Sequence, residues 1–145
     1  MSQPTTGRIG YLIKRAQLVL HEAMVVALAP QELTVSQYAA LIALSEEPGL
    51  SNADMARRAF VTPQSMHAVL AELEARRLLE RRPHPENRRV LTAELTAAGR
   101  RSMEAAAEAV DGVERRMLAE LTEPARSKLA AVLGTCIASL TPTAD

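Results

Sequence analysis

Between Thr62 and His67 the chain gathers four compact hydrogen-bonding side chains, Thr62, Gln64, Ser65 and His67, around Pro63. Each can donate or accept, and all are short enough to meet the edges of bases in the major groove of a duplex. Further on, Pro83-His84-Pro85-Glu86-Asn87-Arg88-Arg89 offers a second candidate surface, with His84, Arg88 and Arg89 as its contact residues. From Ala75 to Leu95 six arginines (76, 77, 81, 82, 88, 89) face Glu80, Glu86 and Glu94, a local excess of three positive charges (six less three). Guanidinium groups so concentrated suit phosphate oxygens, contacts that position a nucleic acid without specifying its sequence. Ser51, Arg57, Arg58, Arg76, Arg77, Arg81 and Arg82 form that candidate phosphate set.

These side chains need rigid elements behind them. Thr62 is a good N-cap and Pro63 suits the first helical position, where a missing N–H costs nothing. Met66, Val69, Leu70 and Leu73 then recur at helical spacing, so one stripe is buried and the opposite face near the start is presented. Alone, this stretch reads equally as an ordinary amphipathic surface helix, and its neighbours must decide. Thr34 with Gln37, and Ser51 with Asp54, carry cap spacings that open two preceding helices, one through Tyr38, Leu41, Ile42 and Leu44 and one to about Ala59. Phe60-Val61 joins the second to Thr62, giving a helix-turn-helix pattern whose turn lacks glycine. Leu78–Arg82 and Val90–Leu95 alternate as strands around the basic loop, a β-hairpin with a projecting tip. The competing reading is a merely solvated hairpin, which the excess of arginine disfavours.

The rest of the composition narrows the class. The 145 residues suffice for one domain with a real core, and the 48% apolar content is rich in Ala and Leu, with Phe60, Tyr11 and Tyr38 as aromatics. That favours packed helices. Lys plus Arg and Asp plus Glu balance at 17 each, so no global field advertises a polyanion, and the distribution of charge carries the signal. Cys136 is the single cysteine, which excludes an intrachain disulfide. The first residues do not read as a signal peptide, and Leu18–Ala29 is interrupted and too short to span a bilayer. A cytoplasmic protein with no membrane partner is expected. No Gly-rich phosphate loop, nucleophile elbow or H-E-x-x-H occurs, and His21, His67 and His84 lack metal-spaced partners. The sequence therefore predicts no enzyme, no metal and no cofactor.

Met1–Thr6 reads as a polar tail. Gly7 to about Leu28 is a helix apolar over most of its circumference, more than one side of a small domain can cover. Thr96 caps a long helix with a sparse apolar stripe and a charged flank, and Thr122-Glu123-Pro124 starts a last one. The fold class is mainly α with a small β-hairpin wing, a single domain over 1–145. Within it, residues 34–95 form the winged helix-turn-helix lobe, and 7–33 and 96–141 are helices whose surplus apolar surface suits burial between subunits.

The segment Arg81-Arg82-Pro83-His84-Pro85-Glu86-Asn87-Arg88-Arg89, followed by Leu95-Thr96-Ala97-Ala98-Gly99-Arg100, closely resembles the wing and post-wing signature of the MarR family of transcriptional regulators. The resemblance extends over nearly the whole chain. It implies a homodimer with intertwined terminal helices and two winged lobes docked on a pseudo-palindromic operator in double-stranded DNA. It places Thr62, Gln64, Ser65 and His67 at major-groove positions and Arg88 and Arg89 at the wing tip, where an arginine reaches the minor groove. Two departures stand out: Asn87 replaces the usual wing Asp, and Arg77 replaces a Gly that follows the recognition helix. The family's commonest control is a small phenolic or anionic aromatic effector that releases a repressor from DNA. Tyr11, Arg15, His21 and Tyr38 are candidates to line its pocket, against the plainer reading of core aromatics and a solvated arginine. Two alternatives remain: a winged-helix protein-interaction module without DNA readout, and a redox-responsive regulator acting through Cys136, which otherwise reads as a small core residue.

Overall fold

The computed structural model describes residues 4–143. Helices α1 (Ile9–Leu28), α2 (Val35–Glu46), α3 (Asn52–Arg58) and α4 (Pro63–Ala75) precede a hairpin of β1 (Leu79–Pro83) and β2 (Leu91–Leu95). Helices α5 (Ala97–Met117) and α6 (Glu123–Leu140) complete the chain. The expected fold class is present. Each strand begins one residue later than its alternation indicated. Of the expected polar tail, Met1–Gln3 lies outside the described residues, and Thr5–Gly7 is a 3-10 turn leading into α1.

The helix starts are fixed by the predicted caps. Thr34 and Gln37 form a reciprocal capping box, in which Thr34 Oγ1 accepts from Gln37 N at 3.1 Å and Gln37 Oε1 from Thr34 N at 3.0 Å. Ser51, Thr62 and Thr122 each accept from the backbone N–H three residues on. The hairpin is antiparallel, with Leu79 opposite Leu95 and Pro83 opposite Leu91.

The helix ends are less ordinary. Leu78 N donates to Leu73 O and Arg77 N to Glu74 O, both at 2.9 Å, with Arg77 left-handed at φ 57°. This is a full Schellman closure, with the buried Leu78 packed beyond it. Val61 N to Ala56 O and Phe60 N to Arg57 O repeat the pattern after α3, with Phe60 at φ 57°. Glu32, at φ 54°, closes the 3-10 turn Ala29–Gln31 in the same way. All three positions favour glycine, and all three carry side chains. The helix-turn-helix turn therefore needs no glycine because Phe60 supplies the left-handed step.

The chain forms two compact units, Met1–Val113 and Glu114–Asp145. In the first, Leu28, Leu41, Leu44, Met55, Met66, Leu73 and Leu79 are the large side chains wholly removed from solvent, joined by Met103 and Ala106 of α5. Each buried leucine contributes about 1.5–3 kcal/mol of transfer free energy. The post-wing Leu95-Thr96-Ala97-Ala98-Gly99 segment is the joint of this lobe. Thr96 Oγ1 accepts from Gly99 N at 3.0 Å, which caps α5, and donates to Arg77 O at 2.7 Å. In the second unit, Arg126 donates from Nε to Leu121 O at 3.1 Å and from Nη2 to Leu118 O at 3.0 Å, closing the turn before α6.

Helix α1 buries only Leu28 and α6 buries no side chain in the single chain. Ile9, Leu12, Ile13, Leu18, Val19, Val25 and Val26 on α1 stay exposed, as do Leu129, Val132, Leu133, Ile137 and Leu140 on α6. Cys136 is a half-buried free thiol on α6, so it is not the core residue its apolar neighbours implied.

Candidate nucleic-acid interface

Helix α4 is anchored by Met66, Leu70 and Leu73, which turns Thr62, Gln64, Ser65 and His67 outward, all four exposed. Two of these are mutually engaged: Thr62 Oγ1 accepts from Ser65 N at 3.1 Å and donates to Ser65 Oγ at 2.9 Å. Among the described residues the side chains of Gln64 and His67 form no hydrogen bond and keep their full capacity for a partner. Asn52, which sequence reasoning passed over, donates from Nδ2 to Pro63 O at 3.1 Å and fastens the start of α4 to the start of α3. Its only sequence signal was its place beside the Ser51 cap.

The wing tip folds around its own side chains. Asn87 Oδ1 accepts from Arg89 N at 3.3 Å, His84 Nδ1 accepts from Glu86 N at 3.1 Å, and His84 N donates to Val90 O at 2.8 Å. An amide at position 87 thus still supplies an acceptor for the turn, although it brings no charge. Arg88 and Arg89 are exposed, and among the described residues neither meets a carboxylate, Glu86 included. A cavity of about 260 Å³ between α3, α4 and the hairpin brings His67, Asn52, Arg81 and Arg89 onto one cleft.

The candidate phosphate residues divide into four groups. Ser51 is half-buried and occupied as the cap of α3, where its hydroxyl also donates to Asp54. Arg77 makes no ion pair among the described residues and its side chain is exposed. Four others are exposed or half-exposed but paired: Arg57 with Asp54, Arg58 with Glu46 at 2.5 Å, Arg81 with Glu74 at 3.0 Å, and Arg82 with Glu80 at 3.1 Å. The Arg81 contact is close enough for an ion pair but lacks hydrogen-bond alignment at Nε. The hydrogen bond that Arg82 donates to Glu80, and then the charge of Glu94, hold Arg82 further above its ordinary pKa, so it remains a cation. Arg76 departs from the expectation. Its Nη1 donates to Glu32 O at 2.7 Å and its Nη2 to Gln31 O at 3.4 Å, so it is engaged by the connector between α1 and α2.

Of the candidate effector residues, His21 lines a cavity at the end of α1. This cavity of about 420 Å³ lies between α1 and the start of α2, lined by His21, Val25, Ala29, Leu33, Thr34, Val35 and Ser36. Tyr11, Arg15 and Tyr38 are not among its walls. Burial, and then the charges of Asp111 and Glu46, raise the pKa of Tyr38, so its surroundings disfavour an anion.

Among known proteins, the model of the MarR family matches residues 31–90, the stretch from the connector to the wing tip. The HTH-type transcriptional repressor Rv2887 of Mycobacterium tuberculosis is 41% identical over 116 residues, which is 80% of this chain and 84% of that protein. The chain belongs to the MarR family. A crystal structure of the MarR family protein Rv2887 in complex with salicylic acid aligns with TM-score 0.75 and 38% identity, over 90% of this chain and 96% of that one. The transcriptional repressor CouR bound to a 23-mer DNA duplex aligns with TM-score 0.81 and 31% identity, over 93% and 99%. As a member of this family the chain has a winged helix-turn-helix fold, with α4 in the recognition position and β1–β2 as the wing. No single helix among the described residues is long and apolar enough to cross a membrane.

Proposed function

We propose that this chain is a homodimeric transcriptional repressor that binds a pseudo-palindromic operator and is released by a small anionic aromatic ligand. The observation that carries the DNA reading is the first turn of α4. The side chains of Gln64 and His67 stand exposed and unbonded there, beside a wing tip whose Arg88 and Arg89 guanidiniums meet no partner among the described residues. Residues 34–95 make the DNA-binding lobe, and the uncovered apolar faces of 7–33 and 96–141 are closed by a second copy. A DNA-bound relative and a salicylate-bound relative support both halves of the reading. The ligand site is the cavity beside His21, whose imidazole and the hydroxyls of Thr34 and Ser36 are the polar groups in mostly apolar walls. The protein acts in the cytoplasm, without metal or cofactor and without catalysis.

The deciding measurement is affinity for a palindromic duplex selected by the protein from a random library, as a function of salt. Each phosphate contact contributes about −0.9 to the slope of log affinity against log salt. A steep slope with a strong preference for the selected duplex is expected. A flat slope would favour a protein-interaction module.

A further inference from the structure

We infer that Arg76 is a positioning residue for recognition: with the Gln37–Glu72 hydrogen bond, it clamps the far end of α4 to the α1–α2 connector. The inference rests on the DNA-binding reading above, and removes Arg76 from the set of residues that touch phosphate.

Two bonds make the clamp. The Arg76 fork closes on the carbonyls of Glu32 and Gln31, at 2.7 and 3.4 Å, which terminate the left-handed turn where Glu32 has φ 54°. Such terminal carbonyls have no partner within their own turn, and a guanidinium is the side chain whose two amino groups can meet both. Four residues earlier on α4, Glu72 Oε2 accepts from Gln37 Nε2 at 2.6 Å. The orientation of that amide is set by the capping box. Gln37 Oε1 is held by Thr34 N, so Nε2 must face Glu72. Gln37 is itself buried, so its amide approaches the exposed Glu72 carboxylate from the protein side. The far end of α4 is therefore fastened at Arg76 to the connector and at Glu72 to the first turn of α2, while its reading turn projects from the opposite end.

Lever arithmetic shows why this matters. Ten residues of helix separate Thr62 from Glu72, about 15 Å at about 1.5 Å each. A tilt of about 10° at the clamped end displaces the reading turn by about 2.6 Å, enough to break base contacts that tolerate only a few tenths of an ångström. Phosphate contacts through long arginines adapt to such a shift. Loss of the clamp thus lowers selectivity and leaves electrostatic affinity in place.

The test measures Arg76→Ala, Arg76→Lys and Glu72→Ala on the selected palindrome and on a scrambled duplex, across salt, beside the wild-type chain. All three are expected to lower the selected-to-scrambled affinity ratio at least tenfold, with the salt slope unchanged. Lysine keeps the charge but cannot fork, so it does not restore the ratio. A slope reduced by about 0.9 in Arg76→Ala and restored in Arg76→Lys would make Arg76 a phosphate contact and overturn the inference. So would Glu72→Ala tightening both duplexes alike, the signature of a carboxylate that merely repels DNA. Glu72 is exposed, so its variant keeps the test decisive even where Arg76→Ala does not fold. Failure of the wild-type chain itself to distinguish the duplexes would instead refute the regulator reading.

Discussion

Gly99 stands so close to Leu78 that a Cβ built on it would lie 1.8 Å from the Leu78 carbonyl oxygen and 2.8 Å from its carbon. The obstacle is backbone, not the end of a flexible side chain, so it cannot give way without moving the closure after α4. The same Leu78 oxygen accepts from Thr96 N at 3.2 Å, and Thr96 Oγ1 donates to the neighbouring Arg77 O. The first turn of α5, the exit of α4 and the root of β1 thus share one joint. Gly99→Ala is expected to destabilise the lobe by about 1–3 kcal/mol or more, read as a lowered denaturant midpoint. A variant as stable as the parent would show that the joint can relax.

Arg77 carries the opposite kind of strain, a side chain where the backbone is left-handed. Replacing it with glycine removes the Cβ conflict, worth about 1 kcal/mol after the added freedom of the unfolded chain is discounted. For a chain of this size that raises the melting temperature by about 3 °C. Arg77→Gly should therefore melt higher than the parent in calorimetry, and a lower Tm would mean that the arginine side chain makes a contact in solution.

Readout and positioning are separable along α4 and β1. Gln64→Ala or His67→Ala should relax base preference by about 1–3 kcal/mol per lost contact, with little change on random DNA. Arg82→Ala should weaken every sequence alike. Competition between selected and scrambled duplexes decides, and equal losses on both from Gln64→Ala would remove it from the reading surface.

Among the described residues Arg89 has no carboxylate partner, and its backbone N–H is held by the Asn87 side chain, so its guanidinium is available to a minor groove. A narrow A·T-rich groove attracts such a cation. Arg89→Ala should cost most on operators with A·T flanks. Identical losses on G·C flanks would place the side chain elsewhere.

Local signals were the most legible part of the sequence. Cap residues at Thr34, Ser51, Thr62 and Thr96 act within three or four positions of themselves, so their spacing alone located the helix starts. The exposed turn at Gln64 and His67 followed from the buried stripe behind it. The partners of the long side chains were not legible. Arg76 and Glu32 are 44 positions apart, and Gln37 and Glu72 are 35 apart, so no local pattern could pair them. Composition counted arginines as available charge, whereas the folded lobe sets four of them against Asp54, Glu46, Glu74 and Glu80. Of Tyr11, Arg15, His21 and Tyr38, chosen for their chemistry, only His21 is in the wall of the cavity between α1 and α2, a placement that periodicity does not reveal.

Those paired arginines have a kinetic consequence. In the free protein they are internally neutralised, and the chain as a whole carries no net charge. Attraction to unrelated DNA depends on cations released to phosphate, and here most must first leave a carboxylate. The search for an operator is therefore expected to proceed by brief collisions more than by long sliding. Residence time at the right sequence, set by Gln64, His67 and the wing, would then carry the selectivity.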